Sequence, residues 1–161
     1  FSLGSTSSLL EGITLANQIL VKKGVGPFVT TFLARIHAET GEMVYVNAGH
    51  PAPLVYSSDS DQLIELAHTG IPLGIASDME FQQRAIQLGK NDFLFLYTDG
   101  ITEAFSKNNE MFGDDRLRHV LYQQLGGTAE DIASGISSEV DNFLSQSHPS
   151  DDITILVAKR S

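Results

Sequence analysis

The sequence of 161 residues contains no cysteine. It can therefore form no disulfide, thiolate metal site or cysteine nucleophile, and any metal must be held by oxygen or histidine. No apolar run approaches the length of a membrane span, and the first residues, FSLGSTSS, lack the basic start and apolar stretch of a signal peptide. These absences fit a reducing compartment and favour a soluble, cytoplasmic domain.

Basic residues are scarce as well. Ten Lys and Arg stand against 20 Asp and Glu, which gives a formal charge of −10. The field of such a chain repels nucleic acid and anionic membranes and attracts divalent cations. We therefore expect neither nucleic acid nor a membrane surface as a partner.

The hydrophobic content of 42% suits one globular domain over residues 1–161. Apolar periodicity and turn residues predict a helix, a run of strands, two helices and a final strand. The predicted helices are Ser8 to Lys23, a helix from Leu117 to Leu125, and one capped by Thr128; the predicted strands are Phe28 to His37, Met43 to Val46, Leu54 to Tyr56, Leu63 to Leu66, Phe81 to Leu88, Phe93 to Tyr97 and Ile153 to Ala158. We expect the first and last of these strands to be buried. This order indicates an α+β domain with antiparallel sheet.

Acidic residues lie at the ends of two strands. The stretch FLFLYTDG runs from Phe93 into Asp99 and Gly100, and Asp151 precedes the last strand. A carboxylate at the mouth of a buried strand is costly unless a cation meets it. If the two strands are antiparallel neighbours, the end of one lies beside the start of the other, so Asp99 and Asp151 converge.

Convergent carboxylates suit Mg²⁺ or Mn²⁺, which take oxygen ligands and keep several waters. Gly100 lets its backbone carbonyl approach, and Glu103 lies one helical turn beyond Asp99. Asp-Gly after a strand and Asp-Asp before one are also ordinary turn and loop signals. Spacing alone therefore leaves metal binding and turn chemistry open.

Five motifs that follow one another along the chain favour metal binding over ordinary turn chemistry. VNAGHPAP, IPLGI, LFLYTDGITEAF, the MFGDDRL segment and DDITILV resemble the metal-dependent protein phosphatase superfamily, which is protein phosphatase 2C-like. Within it they resemble the bacterial sporulation stage II E and RsbU branch. The resemblance extends from about the first helix to the last strand. It implies a sandwich of two antiparallel sheets flanked by helices, with two Mg²⁺ or Mn²⁺ ions at one edge.

The resemblance also implies roles for individual residues. Asp99 and Asp151 match family metal ligands, and Glu103 matches an acidic position at the metal site. Asp152 stands where many relatives have asparagine, so we expect it to support the site through hydrogen bonds. Separately, His50 could act as a general acid, because histidine titrates near neutrality, or could brace the turn between two strands.

The implied reaction is hydrolysis of phosphoserine or phosphothreonine on a protein by metal-activated water. The expected substrate is a phosphorylated regulator, such as an anti-sigma factor antagonist. Enzymes of this branch often lie behind sensor or receiver domains, which predicts such a domain upstream.

One family motif is absent. Relatives carry an earlier aspartate followed by Gly-His-Gly, whose aspartate bridges both metals, whereas the only Gly-His here is Gly49-His50. Because the chain also begins with Phe1, we expect a fragment that lacks the N-terminal part of the domain. Exposed strand edges in such a fragment favour a homodimer. The alternatives are a pseudophosphatase that binds a partner without turnover, and a hydrolase of small phosphoesters.

Overall fold

The computed structural model describes residues 8–24, 26, 28–145 and 151–161. The secondary-structure elements in chain order are α1 (Leu9–Lys23), β1 (Thr31–Ile36), β2 (Glu42–Ala48), β3 (Leu54–Ser57), β4 (Gln62–Glu65), β5 (Arg84–Gln87), β6 (Phe93–Tyr97), α2 (Gly113–Gln123), α3 (Ala129–Leu144) and β7 (Ile155–Lys159). Each predicted helix and strand is present; β6 has the predicted bounds, and the other strands have shifted ends. Among these helices, none is long and apolar enough to cross a membrane. Most of the predicted loop from His148 to Asp152 lies outside the described residues.

The chain divides into two compact units. The first contains the described residues up to Ala52 and those from Leu66 to Gly89, and the second contains Pro53 to Glu65 and the residues from Lys90 onward. Each unit has its own antiparallel sheet, in the order β1-β2-β5 in the first and β4-β3-β6-β7 in the second.

The first unit packs α1 against its three-stranded sheet. Ser8 caps the helix in a reciprocal capping box with Glu11, and Gly24 ends it in the left-handed conformation. The buried stripe of the helix meets apolar residues of β2 and of the segment after Leu66; this cluster is Leu9, Ile13, Val46, Ala48, Leu73 and Phe81. The hairpin of β1 and β2 turns at Gly41, whose φ of 77° is a left-handed conformation that glycine adopts without strain.

The expectation that the strand from Phe28 to His37 is buried is wrong. The regular strand covers only Thr31–Ile36, and Phe28 is 60% exposed. Within the described residues β1 pairs along its length with β2 alone, so it is an edge strand. Aromatic and β-branched residues predict a strand well, but they do not show whether the strand pairs on one side or on both.

The second unit builds its core from alternate residues of β6. Phe93, Phe95 and Tyr97 are buried on one face of the sheet, because side chains alternate along a strand. They pack against the apolar stripes of both helices; the helical members of this cluster are Leu117, Val120, Leu121, Ile132, Ile136, Val140 and Leu144.

The last strand is also less buried than we expect from ITILVA. The strand β7 covers Ile155–Lys159, and Leu156 is 53% exposed. Within the described part of the chain β7 pairs only with β6, which leaves it at the edge of the four-stranded sheet.

The helix α2 begins at Gly113, earlier than predicted, with Asp114 and Asp115 in its first turn, where they interact favourably with the helix dipole.

The N-terminus of α3 carries the predicted cap. The Asp131 carboxylate accepts hydrogen bonds from the Thr128 backbone N–H (2.8 Å) and hydroxyl (2.7 Å), and the Asp131 N–H donates to the Thr128 hydroxyl (3.2 Å). These bonds lower the pKa of Asp131 from its ordinary 3.8. The bond from the Thr128 N–H contributes most to this shift, and the bond from the Thr128 hydroxyl contributes next. The stability that Asp131 contributes is therefore present above pH 3.8 and is lost as the pH falls through the lowered pKa.

We predict that Asp131→Ala lowers the free energy of unfolding at neutral pH, and that the difference from the unsubstituted chain shrinks as the carboxylate becomes protonated. Urea unfolding at several pH values measures this. Glu130→Ala is the control, because Glu130 lies in the same first turn but its side chain makes no cap bond. A deficit of Asp131→Ala that stays constant below pH 3.8 would contradict the prediction.

Candidate metal and phosphate site

The pairing of β6 with β7 brings two acidic segments together. The two strands are antiparallel, from Phe93 opposite Lys159 to Tyr97 opposite Ile155. The chain leaves β6 directly into Thr98 and Asp99, and Asp152 lies three residues before the first residue of β7, Ile155. The predicted convergence of the segment at Asp99 with that at Asp151 is confirmed at the level of the strands that carry them.

Thr98 extends this pairing by one residue with its side chain. Its N–H donates to the Thr154 carbonyl (3.2 Å), while its hydroxyl accepts from the Thr154 N–H (2.9 Å) and donates to the Asp152 carbonyl (2.9 Å). Sequence reasoning missed Thr98. The available signal was a β-branched residue with a hydroxyl group, placed between a buried strand and Asp99.

Gly100 lies against the same segment. A Cβ at this position would come within 2.7 Å of the Asp152 carbonyl oxygen and 3.3 Å of the Asp151 carbonyl oxygen. Real Cβ atoms do not approach backbone that closely, so the contact requires glycine. The two acidic segments are therefore in direct backbone contact beside Gly100.

The carboxylates at this junction face solvent. Asp99, Glu103, Asp151 and Asp152 are all exposed, so water solvates them. The argument that Asp99 needs a cation because of the cost of burying its charge is therefore wrong for this chain. These carboxylates attract a cation through their negative charge and their oxygen donor atoms instead.

Hydrogen bonds within each segment fix the main chain at the junction and hold one carboxylate, that of Asp151. The Asp99 carbonyl accepts from the Glu103 N–H (2.8 Å), which forms one turn between the two residues. One Asp151 carboxylate oxygen accepts from the Asp152 N–H (2.7 Å). Asp152 thus contributes its N–H and its carbonyl to the junction, whereas no hydrogen bond of its carboxylate occurs among the described residues.

The donors at the junction are those that a hard divalent cation takes. They are exposed carboxylates and the Gly100 carbonyl, which accepts no hydrogen bond from any described residue. Within residues 8–24, 26, 28–145 and 151–161, no three His, Asp or Glu side chains lie close enough together to hold a metal ion. Two carboxylates, main-chain oxygen and several waters nevertheless match the coordination habits of Mg²⁺.

His50 belongs to the first unit, where its backbone N–H takes part in a turn. Its N–H donates to the side-chain carbonyl of Asn47 (2.9 Å) across a turn in which Gly49 has a φ of 73°. A Cβ at Gly49 would lie 2.4 Å from the Pro72 ring. The described contacts thus support the interpretation that this segment braces a turn, and the catalytic role of His50 stays a prediction.

The segment from Lys107 to Asp114 is tied to the loop after β6. Phe112 anchors the segment, because its side chain is buried and its N–H donates to the Ala104 carbonyl (2.8 Å). Met111 does not anchor it, because its side chain is 54% exposed and only its backbone pairs, with Phe105.

We predict that Gly100→Ala lowers the free energy of unfolding by about 1–3 kcal/mol, because the added methyl group overlaps the Asp152 carbonyl. Urea unfolding measures the change. The matched control is Gly126→Ala, where a Cβ would meet no atom within 4 Å, and we expect a change within about 0.5 kcal/mol. Equal stability of the two variants would contradict the close approach at Gly100.

Known proteins resemble this chain over most of its length. The phosphoserine phosphatase RsbU of Bacillus subtilis is 28% identical over 136 residues, which cover 83% of this chain and 39% of RsbU. The solved phosphatase domain of SpoIIE from Bacillus subtilis, described as PP2C, matches with a TM-score of 0.75 and 21% identity over 96% of this chain and 45% of that one. RsbX in complex with magnesium matches with a TM-score of 0.65 and 15% identity, over 96% of this chain and 65% of that one.

These matches establish the fold as that of a protein phosphatase 2C-like domain, which confirms the predicted fold class. The chain spans less than half of the RsbU relative and of the SpoIIE structure that it matches. The family model of stage II sporulation protein E matches residues 3–161, nearly the whole sequence. The chain belongs to the stage II sporulation protein E (SpoIIE) family.

Proposed function

We propose that residues 1–161 are the C-terminal portion of a Mg²⁺- or Mn²⁺-dependent protein serine/threonine phosphatase domain. The observation that carries this proposal is the pairing of β6 with β7, which places the segments of Asp99 and Asp151 in backbone contact. Membership in the SpoIIE family supports the proposed class of reaction, which is hydrolysis of a phosphorylated residue.

In this proposal Asp99, Asp151 and Glu103 hold the metal together with the Gly100 carbonyl. Asp152 supports the site through its main-chain bonds to the Asp151 carboxylate and the Thr98 hydroxyl. Two ions are expected in the complete domain, and when bound they lower the pKa of a water and offset the charge of the phosphate. Without metal the four carboxylates would repel a phosphate dianion.

The proposed substrate is phosphoserine or phosphothreonine on a regulatory protein, such as an anti-sigma factor antagonist in a bacterial sigma-factor or stress signalling pathway. The similarity to RsbU, a phosphoserine phosphatase, supports this substrate class. We further propose a cytoplasmic location, an upstream sensor or receiver domain, and a homodimer formed through an exposed sheet edge.

His50 remains our candidate for a general acid that protonates the leaving group. Its side chain is half-buried in the first unit. The proposal for the metal-holding residues does not depend on this role.

We predict that Asp99→Asn lowers Mn²⁺-dependent release of phosphate from a phosphoserine peptide at least about a hundredfold, because a ligand worth several kcal/mol is lost. The fold should stay intact, since Asp99 is exposed. The substitution is made in a chain extended upstream to include the aspartate motif that relatives carry, where we expect activity, and this chain of 161 residues is assayed beside it.

Glu139→Gln is the matched control, because it removes an equal charge from an exposed position on α3. An active Asp99→Asn chain would exclude Asp99 as a required ligand. Inactivity of both folded parent chains would favour the pseudophosphatase. Cleavage of a small phosphoester without cleavage of the peptide would favour a hydrolase of small substrates.

A further inference from the structure

Thr98 stands where regular pairing between β6 and β7 ends. The register that joins Tyr97 to Ile155 places Thr98 opposite Thr154. In an antiparallel ladder, residues of a hydrogen-bonded pair exchange two backbone bonds, each N–H donating to the carbonyl of the other. Only one of these bonds is of the regular kind here, from the Thr98 N–H to the Thr154 carbonyl (3.2 Å).

The second regular ladder bond is not made, because the Thr154 N–H does not donate to the Thr98 carbonyl. That carbonyl accepts from the Ile101 N–H (3.2 Å) and so closes the turn that carries Asp99 and Gly100. The Thr98 hydroxyl takes its place and accepts from the Thr154 N–H at 2.9 Å. One residue thus serves both the turn after β6 and the pairing with β7.

The same hydroxyl also fixes the residue that follows Asp151. It donates a hydrogen bond to the Asp152 carbonyl at 2.9 Å, and this is the carbonyl oxygen that a Cβ at Gly100 would meet at 2.7 Å. Asp152 in turn holds an Asp151 carboxylate oxygen through its N–H (2.7 Å). Two hydrogen bonds, joined by the main chain of Asp152, therefore link Thr98 to the Asp151 side chain.

We propose that Thr98 is a positioning residue whose hydroxyl holds the Asp151 carboxylate in register with Asp99 for cation binding. This inference rests on the proposed function, because it concerns the same site. Threonine suits the position for two reasons: its β-branched side chain favours an extended backbone, and its hydroxyl can donate and accept at once. Neither valine nor alanine can replace the two hydrogen bonds.

The test is Mn²⁺ affinity, measured by titration calorimetry on this chain and its variants. Thr98→Val keeps the shape of the side chain and removes the hydroxyl, and we expect affinity to fall about tenfold or more, as for other partners of metal ligands. Thr98→Ser keeps the hydroxyl, and we expect affinity within about threefold of the parent, since both hydrogen bonds remain. Amide exchange at Thr154 should accelerate in Thr98→Val and not in Thr98→Ser.

Ile136→Val is the control for general destabilisation, because it removes a buried methyl group from α3 and leaves the hydroxyl bonds of Thr98 in place. Its Mn²⁺ affinity should equal that of the parent. If Thr98→Val does not fold, Thr98→Ala supplies the hydroxyl deletion instead.

The outcomes separate this inference from the proposed function. Unchanged affinity in Thr98→Val, with binding in the parent, would overturn the role of Thr98 and leave the metal site standing. Equal weakening in Thr98→Ser and Thr98→Val would also overturn it, because the hydroxyl would then not matter. A parent chain without Mn²⁺ binding would overturn both the inference and the proposed metal site of this chain.

Discussion

The antiparallel pairing of β6 with β7 is the interaction on which the rest of the site depends. The two strands are far apart in sequence, yet Tyr97 stands opposite Ile155. The pairing is stabilised from one side, because Phe93, Phe95 and Tyr97 bury their rings under α2 and α3. Burial of aromatic side chains on this scale is among the largest stabilising contributions a sheet can receive. The core of the second unit thus fixes which acidic residues become neighbours.

The junction itself combines a rigid backbone with exposed charge. The Thr98 hydroxyl bonds the main chain of Asp152, and Gly100 allows that main chain to approach closely. The carboxylates of Asp99 and Asp151 remain in water. Exposed carboxylates keep their hydration in the absence of metal, so the fold does not require a cation to offset a buried charge. A net charge of −10 draws divalent cations toward the whole molecule, and the strand pairing brings the backbone segments of Asp99 and Asp151 together.

Much of this arrangement could be predicted from sequence because it follows from local patterns. The strand at FLFLY and the cap at Thr128 each reflect short-range chemistry. The assumption that the strands before Asp99 and after Asp151 are antiparallel neighbours predicted that these two segments converge. The exposure of Phe28 and Leu156 could not be predicted in the same way, since apolar character does not reveal whether a strand has one neighbour or two. The role of Thr98 depends on a carbonyl turned toward Ile101, which is a property of the folded backbone.

The most direct measurement of the central claim is Mn²⁺-induced paramagnetic broadening of backbone amide signals in this chain. If the paired strands form one cation site, the amides of Gly100 and Asp152 broaden together at the same Mn²⁺ concentration. The amide of Asn91 stays sharp, because it lies at the opposite end of β6, where it donates to the Arg160 carbonyl. Broadening at only one of Gly100 and Asp152, or at neither, would contradict a shared site at the junction of these strands.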